Sequence, residues 1–169
     1  MMVFWPARKA SGSEMPLYFA YGSNMCLRQM QKRCPAAQRV GTGMLANHVL
    51  AFTRFAQGRR CGVADVLPHP SQEVWGVLFE VNSTDLRSLD VSEGFHGAGQ
   101  VNAYDRIKIM VLREGDPAEP VRAELYVVQE KNPEILRPNR EYQALLVEGA
   151  TENGLPESYC TMLRQLEVM

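Results

Sequence analysis

Two short stretches of the chain contain residues whose types and spacing could do chemistry. In the first, an apolar run ends at Tyr21-Gly22-Ser23-Asn24, and a helical pattern then begins. Gly22 permits a sharp turn, after which backbone N–H groups can bind an anion, a carboxylate or a developing oxyanion. A strand that simply ends in a capped turn explains the same residues. Because the chain has no G-x-S-x-G elbow, Ser23 is not predicted to be an activated nucleophile.

Asp90 and Glu93 form the second candidate site, directly after a short helix that the pattern predicts over residues 84–89. The negative end of the helix dipole disfavours a charged carboxylate at this position. Val91 and Phe95 are expected to shield Glu93 from water, which would raise the pKa of its carboxyl group further. A carboxyl group whose pKa lies nearer neutrality can act as a general base and acid. The alternative is an ordinary solvated glutamate in a loop.

Three other patterns do not indicate a site. Gly41-Thr42-Gly43 begins like a dinucleotide-binding fingerprint but lacks its third glycine, so a tight turn before a strand is predicted there. Asn82-Ser83-Thr84 matches a glycosylation acceptor, yet without a secretory signal it is better interpreted as a helix cap. The three histidines share no metal-ligand spacing and are assigned to the surface or to loops. We therefore expect no metal site.

The elements that must position these residues follow from periodicity and turn signals. Short apolar or alternating runs predict strands at residues 17–20, 48–55, 61–67, 73–81, 104–112 and 121–128. Helices are predicted after Asn24 as a cap, over 84–89, around 141–149 and from about 156. This order of a strand, a helix, several strands and terminal helices favours an α+β fold with a curved, mainly antiparallel sheet.

Length and composition set the broader limits. A chain of 169 residues is large enough for one domain, predicted over residues 16–169 after a flexible leader at 1–15. Eighteen Lys and Arg balance nineteen Asp and Glu, which gives no nucleic-acid footprint. No apolar run reaches the length of a membrane span. Four scattered cysteines, including Cys26 just beyond the first stretch, indicate reduced thiols and a cytoplasmic location.

Four ordered motifs resemble the γ-glutamylcyclotransferase family. LYFAYGSNM (residues 17–25) resembles its substrate loop, and EVWGVLFEV (73–81) the strand that leads to its active site. LDVSEG (89–94) is similar to the segment with the catalytic glutamate, and EGATENGLPESY (148–159) to a C-terminal signature of the glutathione-pathway members. The resemblance covers residues 17–159. It implies a small mixed, mainly antiparallel β-barrel flanked by helices.

The resemblance also assigns roles to individual residues. Glu93 matches the catalytic proton acceptor of the family. The implied substrate-binding residues are Tyr18, Phe19, Ala20, Tyr21, Gly22, Ser23, Asn24, Tyr104 and Tyr142. The segment between Glu93 and Tyr104 is longer than the family usually carries, which could reshape the pocket near Tyr104.

The reaction that the resemblance implies needs no cofactor. The α-amine of a small γ-glutamyl substrate attacks its own γ-carbonyl and releases 5-oxoproline and an amine. The ENGLP segment (152–156) favours γ-glutamyl amino acids and dipeptides. A γ-glutamylamine substrate, a γ-glutamyl-acyl substrate and a non-catalytic protein that binds a small ligand remain alternatives. No nucleic-acid or membrane partner is expected, and the chain is compatible with a homodimer.

Overall fold

The computed structural model describes residues 15–169, and five strands close into a barrel. The strands are β1 (Leu17–Ala20), β2 (Gln38–Ala56), β3 (Cys61–Glu80), β4 (Tyr104–Arg113) and β5 (Pro120–Val128). Their order around the barrel is β1-β3-β2-β4-β5, and every neighbouring pair is antiparallel except β5 and β1. The predicted fold class is confirmed. Residues 1–14 of the predicted leader lie outside the part of the chain that the structure describes.

β2 and β3 form one long hairpin, of 19 and 20 residues. The two strands predicted at 61–67 and 73–81 are both part of β3, which continues through the exposed residues 68–73. Register shifts in the pairing with β2, such as that between Ala46 and His48, interrupt the regular ladder. Such bulges bend a strand and increase its twist, which lets a long hairpin curve around a small barrel.

Gly41-Thr42-Gly43 lies inside β2, so the tight turn predicted there is wrong. Gly41 has a φ of 146° and lies at a register shift against β3. A Cβ at Gly43 would lie 2.7 Å from Cγ1 of Val111 on β4. Gly41 therefore allows a bulge, and Gly43 allows close contact between two strands. The sequence pattern does not distinguish these roles from a turn.

Four helices flank the barrel: α1 (Leu27–Arg33), α2 (Ser83–Glu93), α3 (Arg140–Glu152) and α4 (Glu157–Arg164). The predicted cap of α2 is confirmed, because Oδ1 of Asn82 accepts a hydrogen bond of 2.8 Å from the Asp85 N–H. The helix is longer than the predicted 84–89 and ends at Gly94, whose φ is 65°. Its last turn lacks an apolar stripe, which is why periodicity did not find it.

The predicted cap of the first helix is wrong. Asn24 lies in a 3₁₀ turn, Ser23–Met25, and α1 begins two residues later with no side-chain cap. Its amide is buried and binds other side chains of the candidate site.

The helix α3 packs against the 3₁₀ turn through Gly149. A Cβ at this position would lie 2.6 Å from the backbone N of Cys26 and 2.6 Å from the backbone C of Met25. Just beyond α3, Nδ2 of Asn153 donates to the Met25 carbonyl at 2.8 Å. The position of the 3₁₀ turn therefore depends on close packing with α3. The four cysteines are free and buried, as expected of reduced thiols.

We expect Gly149→Ala to destabilise the protein by about 1–3 kcal/mol, because the added methyl group has no space between α3 and the turn. Denaturant unfolding measures the loss. Gly58→Ala is the matched control, since its added Cβ meets nothing within 4 Å. Equal midpoints for the two variants would contradict the close packing at Gly149.

Candidate active site

A cavity of about 370 Å³ lies where the turn after β1, the β2–β3 hairpin and the end of α2 meet. The residues of the predicted site that line it are Tyr18, Tyr21, Gly22, Ser23, Asn24, Glu93, Tyr104 and Tyr142. The other two predicted residues, Phe19 and Ala20, are fully buried in the core and do not line it. The aromatic ring of Phe19 packs against Tyr21, with 6.4 Å between centroids.

Glu93 is the last residue of α2, and its side chain is 18% exposed. Its Oε1 accepts a hydrogen bond of 3.3 Å from Asn24 Nδ2 and lies 3.8 Å from Nη1 of Arg33. Burial raises the pKa of the Glu93 carboxyl group above its ordinary value. Arg33, Arg59 and the Asn24 hydrogen bond lower it, but burial has the larger effect. The group can therefore take up and release a proton nearer neutral pH than an exposed glutamate.

The side chains predicted to shield Glu93 from water are the wrong ones. Val91 lines the cavity but is 81% exposed, so it is itself open to water. Phe95 packs under the guanidinium of Arg106, with 5.2 Å between the guanidinium carbon and the ring centroid, and it does not line the cavity. The partners of Glu93 come from the turn after β1 and from α1 instead.

The amide of Asn24 connects Glu93 to the two neighbouring elements. Its Nδ2 donates to the hydroxyl of Tyr18 at 2.9 Å as well as to Glu93. Its Oδ1 accepts from Gln29 at 3.0 Å and from Arg33 at 2.9 Å. Both donors and the acceptor oxygen of the amide are thus used, which fixes the orientation of the side chain.

Tyrosines form uncharged walls of the cavity. The hydroxyl of Tyr104 donates to the Ala64 carbonyl at 2.9 Å, and that of Tyr142 accepts from the Ala64 N–H at 3.1 Å. The Tyr21 hydroxyl donates to the Tyr126 carbonyl. Burial raises the pKa of Tyr142 to about 12. It also raises the pKa values of Tyr21, Tyr104 and Tyr126 above the ordinary value for tyrosine. The hydroxyls therefore remain protonated at neutral pH.

Sequence reasoning missed three arginines that also line the cavity: Arg33, Arg54 and Arg59. Nη2 of Arg59 donates to Gln29 Oε1 at 2.9 Å and to Ser23 Oγ at 3.3 Å. Its guanidinium carbon lies 5.1 Å from the ring centroid of Tyr142. The arginines belong to α1 and to the end of the β2–β3 hairpin, and no local motif marks either place. Only the folded chain brings them to one cavity.

Comparisons with known proteins identify the family of this chain. The model of the AIG2-like family matches residues 73–163. The mouse protein named gamma-glutamylcyclotransferase is 34% identical over 157 residues, covering 89% of this chain and 78% of its own. The chain belongs to the γ-glutamylcyclotransferase family, which consists of enzymes. The resemblance inferred from the sequence is thus confirmed.

Two further relatives support the family assignment. The human gamma-glutamylcyclotransferase is 32% identical over 156 residues, which cover 89% of this chain and 78% of the human one. A solved structure of a gamma-glutamyl cyclotransferase matches with a TM-score of 0.82 at 30% identity. The match covers 92% of this chain and 90% of that chain, so the barrel and the helices of this family member share the fold of that enzyme.

Asp90, the other predicted carboxylate, does not line the cavity of this family member. Nη1 of Arg106 on β4 donates to both of its oxygens, at 3.0 and 2.8 Å. The hydroxyl of Tyr126 on β5 donates to it at 2.7 Å. Asp90 therefore holds the last turn of α2 against two barrel strands, three residues before Glu93. Its role is to position the helix end.

The long segment between α2 and β4 is ordered by Asn102. Its Nδ2 donates to the Gly97 carbonyl and to Asp105 Oδ1, both at 2.9 Å. The segment closes where Ala103 N–H donates to the Gly94 carbonyl at 3.0 Å. The extra residues leave Tyr104 in the lining of the cavity.

Two further findings concern residues 15–169 alone. They contain no group of three or more His, Cys, Asp or Glu side chains that could hold a metal ion. None of the helices in this part of the chain combines the length and the apolar character needed to cross a membrane.

We expect Asp90→Asn to destabilise the protein by about 1–3 kcal/mol, because it leaves the partly buried guanidinium of Arg106 without its closest carboxylate. Activity should also fall as the end of α2 loosens. Urea unfolding and a turnover assay measure the two effects. The control is Glu157→Gln, which breaks an ion pair to Arg164 whose glutamate side chain is 80% exposed. Equal stability of the two variants would show that Asp90 does not hold the helix.

Proposed function

We propose that the protein is a cyclotransferase that converts a γ-glutamyl amino acid or short peptide to 5-oxoproline and the free amine. The observation that supports it most is the partly buried Glu93 carboxyl group, with a raised pKa, in the same cavity as the turn at Gly22. The relatives from mouse and human, named gamma-glutamylcyclotransferase, make the same suggestion.

The reaction joins two groups of one molecule, so the main task of the protein is to hold the glutamyl chain in a folded conformation. Glu93 takes a proton from the α-ammonium group of the substrate. The free amine then attacks the γ-carbonyl carbon and forms a tetrahedral intermediate. The bond from this carbon to the leaving nitrogen breaks as Glu93 returns a proton to that nitrogen. The ring nitrogen gives up its second proton, and the departing amine takes it up and leaves as an ammonium group. Atoms and charges balance without a cofactor.

The turn after β1 is suited to bind the oxygen that becomes negative in the intermediate. The backbone N–H groups of Gly22 and Ser23 donate to no carbonyl within residues 15–169. A Cβ at Gly22 would lie 3.4 Å from both Ala64 Cβ and the Tyr142 hydroxyl, so a side chain there would reduce the space for substrate. The loss of one such donor typically costs roughly 100-fold or more in rate.

The alternatives differ in substrate or in chemistry. A γ-glutamylamine or γ-glutamyl-acyl substrate would use the same glutamate, and a non-catalytic binding protein would use the cavity alone. The partly buried carboxyl group argues against the last, because its burial costs free energy and binding alone does not require a carboxyl group with a raised pKa. Assay of 5-oxoproline from γ-glutamyl-alanine, glutathione and γ-glutamyl-ε-lysine separates the remaining substrates.

Glu93→Gln should lower 5-oxoproline formation from the best substrate of this panel by roughly 100- to 10,000-fold, because it removes the general base but keeps the shape. Burial raises the folded-state pKa, so stability from this group falls as pH rises through that pKa. At neutral pH the variant should therefore melt no lower than the wild type. Glu141→Gln, at an exposed position, is the control. Near-normal turnover by Glu93→Gln would contradict the assignment of the base.

The pH profile of kcat/KM tests the electrostatics of the same group. Activity needs the ionised carboxylate, so the rate should fall as pH drops through the raised pKa of Glu93. Arg33→Gln removes a nearby cation that lowers this pKa, so the acidic limb should move to higher pH. Arg28→Gln, on the same helix and with a side chain that is 63% exposed, should leave the limb unmoved. An acidic limb that stays in place in Arg33→Gln would assign it to another group.

A further inference from the structure

We propose that Arg54 binds the carboxylate of the leaving amino acid and so makes the site selective for γ-glutamyl amino acids over neutral γ-glutamylamines. This inference rests on the proposed function, and it assigns the specificity of the same cavity to one side chain. It follows from the charges of the lining, from the partners of each arginine and from the position of Arg54 in the β2–β3 hairpin.

The lining of the cavity is positively charged. It contains three arginines, Arg33, Arg54 and Arg59, and one carboxylic acid, Glu93. Burial favours the neutral form of Glu93, whereas the three guanidinium groups remain charged. A ligand with a single carboxylate and an ammonium group leaves this excess uncompensated. A γ-glutamyl amino acid has two carboxylates and one ammonium group, and it fits the lining better.

Arg33 is placed for the first of these carboxylates. Its Nη1 lies 3.8 Å from Glu93 and 2.9 Å from the Asn24 oxygen. The α-amine of the substrate must reach Glu93 to lose its proton. The α-carboxylate is bonded to the same carbon as this amine, so it comes to lie near Arg33. This places the glutamyl end of the substrate at the end of α2.

Arg59 is already held by protein groups. It donates to Ser23 and Gln29 and lies over the ring of Tyr142. It also acts on the carboxyl group of Glu93, whose pKa it lowers. These contacts keep its guanidinium at the glutamyl end and in support of the turn after β1.

Arg54 differs from Arg33 and Arg59 in its protein partners and in the groups on which it acts. Its side chain is half-buried and has no hydrogen bond or ion pair to another group in the described part of the chain. It lowers the pKa of Tyr104, whereas Arg33 and Arg59 are the arginines that lower the pKa of Glu93. Its guanidinium is therefore available in the part of the cavity that Tyr104 lines, and it is not among the arginines that act on Glu93.

The hairpin register supports this position. Arg54 pairs with Val63 on β3, and the next residue, Ala64, binds the hydroxyls of Tyr104 and Tyr142. A guanidinium that is partly removed from water and lacks a partner gains most from a carboxylate, which it can bind through two parallel hydrogen bonds. The carboxylate of the leaving amino acid is the group of the substrate that remains to be bound.

The test compares two substrates that differ only in this carboxylate, γ-glutamyl-alanine and γ-glutamyl-alaninamide. The wild type should show a kcat/KM for the acid that is roughly 10- to 100-fold higher, the usual worth of a hydrogen bond to a charged group. Arg54→Gln should lower kcat/KM for the acid and bring the two substrates to within about threefold of each other. Equal rates for both substrates in the wild type would overturn the assignment.

The matched control is Arg60→Gln. Arg60 belongs to the same hairpin and is exposed, and it does not line the cavity. Its removal changes the net charge by the same amount, so the preference for the acid should persist. Loss of the preference in Arg60→Gln as well would indicate a long-range charge effect and would overturn a specific role of Arg54.

A binding measurement separates this inference from the proposed function. Titration calorimetry with the two compounds is done on Glu93→Gln, with and without Arg54→Gln. Tighter binding of the acid that depends on Arg54 supports the assignment even if the wild type forms no 5-oxoproline, and that second result would overturn only the proposed function. Equal affinity of both compounds for Glu93→Gln overturns the role of Arg54, whatever the turnover.

Discussion

The hydrogen bonds of one buried amide hold the candidate site together. Asn24 joins the end of β1, the helix α1 and the end of α2, because its partners Tyr18, Arg33 and Glu93 belong to these three elements. Each of these hydrogen bonds lies in a region with little water, where an unpaired polar group is costly. The carboxyl group of Glu93 can thus be partly buried without being isolated. Its proton affinity is set by the balance between burial and these neighbours.

The rest of the fold fixes this amide from two directions. The helix α3 packs on the 3₁₀ turn through Gly149, and Asn153 binds the Met25 carbonyl. On the opposite side, Asp90 holds the end of α2 against β4 and β5. The last turn of α2 and the turn after β1 are therefore each attached to the barrel independently. A site assembled in this way keeps its geometry when substrate enters.

Much of the fold and part of the candidate site could be predicted from the sequence, since the strands and the cap at Asn82 have strong local signals. Glu93 and the residues from Tyr21 to Asn24 were found because they form short motifs. The length of α2 was missed, because its last turn is mostly polar and its stop signal at Gly94 comes five residues after Leu89, the last buried apolar residue of the helix. Arg54 and Arg59 were missed for a different reason. Their place in the lining of the cavity depends on the register of a long hairpin, and no local pattern encodes it.

The long β2–β3 hairpin has a consequence for how such a cavity can diversify. Its two strands pair with each other along most of their length, and the stretch near Ala56 and Cys61 lies at one end of this ladder. Side chains there can be exchanged while Glu93, on a separate helix, stays in place. In the proposed mechanism, recognition of the departing group and proton transfer therefore reside on different parts of the chain. Evolution can retune which amides are accepted without rebuilding the machinery that cyclises them.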